Sequence, residues 1–398
     1  MKTMETKIEN GLIVYLKSDT ELLSEVVVVA YGTARKESLT GSVAQIDNKS
    51  IEKRVATSAT AALEGAAPGV QVNNSYGEPG AGPSILIRGI GTITGETTPL
   101  YVVDGVPYDG NINDISSHDI EAISVLKDAA SAALYGNRAA NGVVIITTKT
   151  GKREASATAN YSAYVSLAQF GKTLDFYDAD EIRQGLTNYS DKGYDTDWLD
   201  AVTRTAFTQN HNFNISGGSK STTYSADFTY RKEDGVILNT YNESMKASFD
   251  VSHWMLNDML KVQLNIVSSR RENGPVDAAG SMIYRQAIMR NPTEPIYNED
   301  GTHYENFGIN YYYNPVGILE EQTGKYIVEN TRMTGNVTFE PIKGWQTNLM
   351  VGRRTSMSHD RGFETTEYYG QEIYNYTGTA SHSQGESRTD NLELTSKY

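Results

Sequence analysis

The chain has 398 residues, with 35 Lys and Arg against 49 Asp and Glu, a formal charge of −14 and no cysteine. The missing cysteines exclude disulfides and thiolate metal sites, and the acidic balance speaks against nucleic acid, whose phosphates call for a basic face. Tyrosine is over-used, 26 against 9 Phe and 3 Trp, and its apolar ring and polar tip suit strands at a boundary between oil and water.

Residues 1–20, MKTMETKIENGLIVYLKSDT, contain neither the uninterrupted apolar core nor the small-residue cleavage site of a secretory leader. No apolar run reaches the roughly 18–20 residues of a membrane helix. Barrel strands carry only a weak alternating signal, so the membrane remains open as a location. EVVVVAYGT (Glu25–Thr33) then places four valines in a row. Valine is stiff at χ1 and favours extended backbone, so the run predicts a strand apolar on both faces. It is either a core strand or an extended peptide kept for a partner.

From residue 34 to Gly151 the texture is mixed α and β, dense in glycine turns. A short helix is expected over Ser58–Leu63, and strands over 84–90 and 100–108. Asp104-Gly105 lies between apolar flanks, a tight-hairpin signal. Asp128 is placed to cap the alanine-rich helix that follows it, and Gly136 to end that helix in the left-handed conformation. NGVVIITTKTG closes the region as a β-branched strand.

After Gly151, about eight long segments alternate with period 2. In TTYSADFTYRK, Tyr224, Ala226, Phe228 and Tyr230 share one face, and Ser225, Asp227, Thr229 and Arg231 the other. Short turns such as 216–220 join some segments, and long loops, including Asn273–Asn330, join others. The alternation alone suits a soluble sandwich or an outer-membrane barrel equally. The predicted strand lengths of ~10–14 residues exceed the usual ~5–6 of soluble sheets and favour the barrel.

Three runs carry a family resemblance: EVVVVAYGT (25–33), PLYVVDGVP (99–107) and DIEAISVLKDAASAALYGNRAANGVVIITTKTG (119–151). Together with ILIRGIGTI (85–93) and HNFNISGGSKSTTYSADFTYRKEDGVI (211–237), they resemble the SusC/RagA family of TonB-dependent outer-membrane transporters. The resemblance covers almost the whole chain from about Leu12 onward. It implies an α+β plug domain (34–151) followed by antiparallel transmembrane β-barrel strands (152–398). It also implies a remnant of a carboxypeptidase-regulatory-like domain at 1–24 and a TonB-box region at 25–33. The expected activity is TonB-coupled import of oligosaccharides or peptides across the cell outer membrane. The expected partners are TonB, a SusD-like surface lipoprotein and outer-membrane lipid, with no nucleic acid. A full wall of this family has about 22 strands, so the chain is expected to be a fragment whose sheet is an incomplete barrel.

On that reading Glu25, Val26, Val27, Val28, Val29, Ala30, Tyr31 and Gly32 engage TonB by adding a strand to its sheet edge; the bland alternative packs them as the last strand of the preceding domain. Arg88, Asp104, Lys127, Asp128 and Arg138 are expected to form a polar network that fixes the plug's internal turns and its contact with a polar barrel lumen. An acid/base pair of Asp104 and Asp128 is disfavoured, because no nucleophile or metal ligand converges with them in sequence. RGIGTITG lacks the third glycine at dinucleotide spacing, and GEPGAGPS (77–84) lacks a phosphate loop's Gly-Lys-Ser/Thr. NEDGTHYE (298–305) could hold Ca²⁺ on a surface loop, but it fails the EF-hand spacing and a plain turn with two acids is the favoured reading. The six histidines show no metal-ligand spacing and the sequence offers no catalytic constellation, so neither cofactor nor metal nor enzymatic activity is expected. Tyr311, Tyr312 and Tyr313, with Tyr368, Tyr369 and the YNY at 374–376, are candidate aromatic platforms for a ligand, or plain loop packing. The competing function is a surface glycan-binding β-protein without transport.

Overall fold

The computed structural model describes residues 26–29, 32–35, 43–47, 51, 63–73, 78–81, 84–92, 95, 97–108, 112, 115, 119–128, 133–171, 175–275, 279–309, 311–369 and 377–398. The expectations for residues 1–24, for Glu25, Ala30 and Tyr31, for the helix from Ser58 and for 374–376 fall outside them.

The valine run forms β1 (Val26–Val29) and pairs antiparallel with β2 (Gly32–Arg35), with Val29 opposite Gly32. It is therefore one arm of a hairpin and not a solitary extended peptide. A two-residue connection closes on a hydrogen-bonded pair, so the amides of Val27 and Val29 turn toward β2. Those of Val26 and Val28 turn away from β2.

Eight further elements build the plug: β3 (Val43–Asp47), β4 (Val70–Asn73), β5 (Ser84–Ile87), β6 (Leu100–Val103), β7 (Val106–Pro107), β8 (Ile120–Leu126), a 3-10 turn (Ala133–Ala139) and β9 (Val143–Thr148). Five strands form a mixed sheet in the order β3-β8-β9-β6-β7, and β4 pairs with β5 separately. In β9, Val144 and Ile146 join a core with Ile85, Ile120, Ile123 and Val125, while Val143 and Ile145 join a second core with Val102 and Leu126. Its continuous β-branched run is thus covered on both faces, as a central strand requires. Each buried Ile or Val contributes about 1.5–3 kcal/mol.

The hairpin at Asp104-Gly105 forms as expected: φ is 52° and 85°, with Val103 opposite Val106. Two positive φ values in succession are what a tight turn of this hand demands, and Asp and Gly both tolerate them. The strand expected over 84–90 stops at Ile87, because Arg88 (φ 61°) and Gly89 (φ 87°) both leave the extended region. Residues 129–132 lie outside the described set, and Gly136 (φ 65°, ψ −152°) sits inside the 3-10 run and does not terminate it.

The rest of the chain is an eight-stranded antiparallel sheet in sequential order: β10 (Thr158–Ala168), β11 (Ala206–Gly218), β12 (Thr222–Asp234), β13 (Tyr241–Met255), β14 (Leu260–Asn273), β15 (Gln322–Ile342), β16 (Trp345–Glu364) and β17 (Thr379–Lys397). β15 and β16 reach 21 and 20 residues, well beyond the ~9–11 that cross a bilayer. The stretch 273–330, expected as a loop, contains α3 (Ala279–Met289), α4 (Pro315–Glu321) and the first residues of β15. Asn314 caps α4 by accepting from the amides of Val316 and Gly317, with Pro315 in its first turn. Two shorter helices, α1 (Ala179–Arg183) and α2 (Trp198–Val202), lie between β10 and β11.

The sheet is inverted relative to a soluble protein. Thr223, Ser225, Asp227 and Thr229 are buried in β12, while Phe228 is 48% exposed; in β13, Lys246, Asp250 and Ser252 are buried, while Met245 and Phe249 are exposed. The two faces of β12 divide as the alternation predicts, and the polar face is the covered one. Phe213, Leu264, Met333, Val337, Leu349, Val351, Leu392 and Leu394 continue the exposed apolar face across the sheet.

Candidate functional site

The polar face of the sheet closes on the plug, and two wall cations meet two plug carboxylates there. Arg332 of β15, 9% exposed, donates to the Val103 carbonyl at 3.2 Å and to Asn265 Oδ1 of β14 at 3.2 Å, and lies 3.5 Å from Asp104 Oδ2. Asp104 is fixed from behind, since its carboxylate accepts from the Thr148 amide at 2.8 Å and the Thr148 hydroxyl at 2.9 Å. The turn that holds Asp104 at positive φ therefore aims one carboxylate at both the plug's own β9 and the wall.

The second contact is an ion pair between Lys246 of β13 and Asp119, which directly precedes β8, with side chains 10% and 7% exposed. Asp227 of β12 neighbours this pair and is held by Asn212 Nδ2 at 2.8 Å and by the Thr229 hydroxyl at 3.2 Å. Tyr108 receives the Arg354 guanidinium over its ring at 5.5 Å. At the rim, the Gly80 amide donates to Glu233 Oε2 at 3.1 Å. The chain between plug and wall is pinned by Arg153, which forms a two-pronged pair with Asp258 at 2.9 and 3.1 Å and reaches the Lys220 carbonyl at 2.6 Å.

Of the residues in the predicted plug network, Asp104 makes the contact with the wall. Arg88 pairs with Asp128, about half exposed, which makes it a weak contributor. Lys127 donates to the Pro68 carbonyl at 3.0 Å, and Arg138 is exposed on the 3-10 turn. Asp104 alone of the five reaches the wall in the contacts described. The residues that sequence reasoning missed are Asp119, Lys246, Arg332 and Asn265. Their signal was available: cations at mid-strand on the polar face of an alternating segment, where a solvated sheet has no need of them.

The loops at one end of the sheet pack together instead of standing open. Trp198, Val202, Ile283, Ala287, Val316, Ile318 and Tyr368 share a core. Arg290, fully buried, lies over the rings of Tyr312 at 4.5 Å and Trp198 at 4.9 Å and near Glu294 at 3.5 Å. Tyr312 is 3% exposed, donates to Glu294 Oε2 at 2.8 Å and accepts from the Asn291 amide at 2.7 Å. Burial raises its hydroxyl pKa, and burial also pushes the Glu305 carboxyl up to about 7. Tyr312 is thus a structural anchor and not a ligand platform, which corrects its assignment with its neighbours. Tyr313 packs on Tyr369 with ring centroids 4.0 Å apart, and of Tyr311, Tyr312 and Tyr313 only Tyr311, 71% exposed, stands free for contact. NEDGTHYE is a turn as expected: Asp300 accepts from the Thr302 amide and hydroxyl, which holds its carboxyl below the usual range.

No helix among the described residues is long and apolar enough to cross a membrane. Residues 35–143 match the TonB-dependent Receptor Plug Domain family. The chain is 35% identical over 303 residues to the TonB-dependent receptor SusC of Bacteroides thetaiotaomicron, covering 72% of this chain and 30% of that protein. It is 32% identical over 366 residues to the TonB-dependent receptor P3 of Formosa agariphila, covering 88% of this chain and 36% of that one. The chain thus spans about a third of the length of the curated relatives it matches. Its fold superposes on the RagAB peptide importer in its open-open state with a TM-score of 0.74 at 22% identity, over 92% of this chain and 46% of that one. A plug sheet latched inside an inverted wall, matched in sequence along most of its length, places the chain in the SusC/RagA family of TonB-dependent receptors.

Proposed function

We propose that the chain forms the plug and the first part of the wall of an importer in the cell outer membrane. It takes up nutrients too large for simple pores, oligosaccharides or peptides, by TonB-driven movement of the plug. The observation that carries this reading is the inverted wall: ions and hydroxyls are sealed between wall and plug while Phe, Leu and Met face outward, the arrangement that lipid outside and a polar lumen inside require. The peptide cargo named for RagAB and the relationship to SusC leave both substrate classes standing. A SusD-type lipoprotein is the partner suited to cover the long-loop end.

In this mechanism no bond of the substrate is broken. The β1–β2 hairpin is the handle, and its open edge adds to a sheet edge of TonB through the main-chain groups of Val26 and Val28. Force transmitted from the hairpin breaks Arg332–Asp104 and Lys246–Asp119 and unseats part of the plug. Buried ion pairs suit such a latch, since they cost several kcal/mol to separate yet re-form by geometry alone.

The test is uptake of a labelled oligosaccharide and a labelled peptide by cells carrying Val28→Pro, which removes an outward N–H, beside Val28→Thr, which keeps it. Lost uptake in the first alone, with unchanged amounts of the protein in the outer membrane, supports the handle. Normal uptake in both variants overturns it.

A further inference from the structure

Three side chains from separate segments converge at the long-loop end. His303, Glu321 and Glu367 each offer one ligand atom within 4.8 Å of the others. His303 follows the Asp300 turn, Glu321 is the last residue of α4, and Glu367 lies in the turn after β16. The His303 side chain is 7% exposed, and its Nδ1 has no hydrogen-bond partner among the described residues.

The surrounding groups fix which nitrogen is available. Nε2 stands 2.9 Å from Glu320 Oε2, and the Tyr297 hydroxyl clamps Glu320 at 3.0 and 3.1 Å. A carboxylate on Nε2 holds the ring proton there and leaves Nδ1 as a lone pair. Tyr297 lies against the imidazole, with centroids 5.3 Å apart. On the ring's other contact, a Cβ at Gly317 would stand 3.0 Å from His303 Cγ, so glycine is what lets the ring approach.

Nδ1 faces Glu321 Oε1 at 3.7 Å, beyond hydrogen-bond reach, and the other Glu321 oxygen accepts from the Thr365 hydroxyl. A buried nitrogen lone pair aimed at a carboxylate oxygen is unfavourable unless a cation stands between them. Two ligands bound at about 2.1 Å to one ion stand roughly 3.0–3.5 Å apart, so a small inward movement seats one. Glu367, exposed on its turn, leaves an entry path and room for water.

We propose that His303, Glu321 and Glu367 bind one divalent transition-metal ion of the zinc class. The ion staples the segment between β14 and β15 to the turn between β16 and β17. One imidazole with two carboxylates suits zinc and its neighbours and disfavours calcium and magnesium, which take oxygen alone. The role is structural, and it does not depend on the transport reading.

The test uses the full chain in detergent, stripped with chelator and titrated with zinc and separately with calcium, reading bound metal by calorimetry and elemental analysis. One zinc per chain is expected, with calcium at least tenfold weaker. Glu320→Gln should weaken zinc by about 10–100-fold through the ring orientation, and His303→Gln and Glu367→Gln by at least tenfold each. Because Glu367 is exposed, its variant reports on binding even where His303→Gln disturbs the loops. Absence of retained zinc, equal retention in the His303 and Glu367 variants, or calcium binding as tightly would each overturn the proposal.

Discussion

Lys246 on the wall and Asp119 on the plug, 127 residues apart in the chain, form a buried ion pair with side chains 10% and 7% exposed. Removing one partner of such a pair strands the other charge and costs about 3–5 kcal/mol. Lys246→Met should therefore loosen the plug by that amount, while Lys246→Met combined with Asp119→Leu should recover most of the loss. Urea titration followed by bilayer conductance, which reports an unseated plug, measures both variants. Equal loosening in the single and double variants would deny the pair its role.

Asp104 combines a turn conformation with a contact to the wall, and the two can be separated by substitution. Asp104→Asn keeps a residue that tolerates φ 52° and should cost about 1 kcal/mol through the lost charge at Arg332 and Thr148. Asp104→Ala also loses tolerance of that conformation and the Thr148 bonds, and should cost about 2–3 kcal/mol. Thermal unfolding of the whole chain should rank the variants in that order.

Arg332→Lys should not behave as a conservative change. A guanidinium reaches Val103, Asp104 and Asn265 at once, which a single ammonium cannot do. A loss of about 1–3 kcal/mol is expected, read by the same conductance assay.

On the outward face, Phe249→Arg should impair insertion into phospholipid vesicles by about 2–4 kcal/mol if it lies near mid-bilayer. Leu256→Arg, in the short turn after β13 and 58% exposed, should change little. Equal effects at both sites would contradict a lipid-facing band.

Among the loop tyrosines, Tyr312→Phe should cost about 1–3 kcal/mol, because it leaves Glu294 and the Asn291 amide without their buried partner. Tyr311→Ala should leave stability unchanged, since that ring is 71% exposed. Limited proteolysis of the loops distinguishes the two, and any loss of substrate binding in Tyr311→Ala would then report direct contact.

Period-2 alternation and turn chemistry act over neighbouring residues, and they were legible in the chain alone. Examples are the two faces of Tyr224–Arg231, the Asp104-Gly105 hairpin and the β-branched run of β9. Helix α3 was hidden because its packing comes from Trp198 and Tyr368, distant in sequence. The wall partner of Asp104 also escaped detection, since Asp104 and Arg332 are 228 residues apart. By itself the sequence determined a polar-apolar sheet of unusual length joined to a glycine-rich α+β domain. Only the tertiary structure decided which face is covered and which carboxylates meet wall cations, because those partnerships depend on how the sheet packs against the plug and not on any local preference of the residues involved.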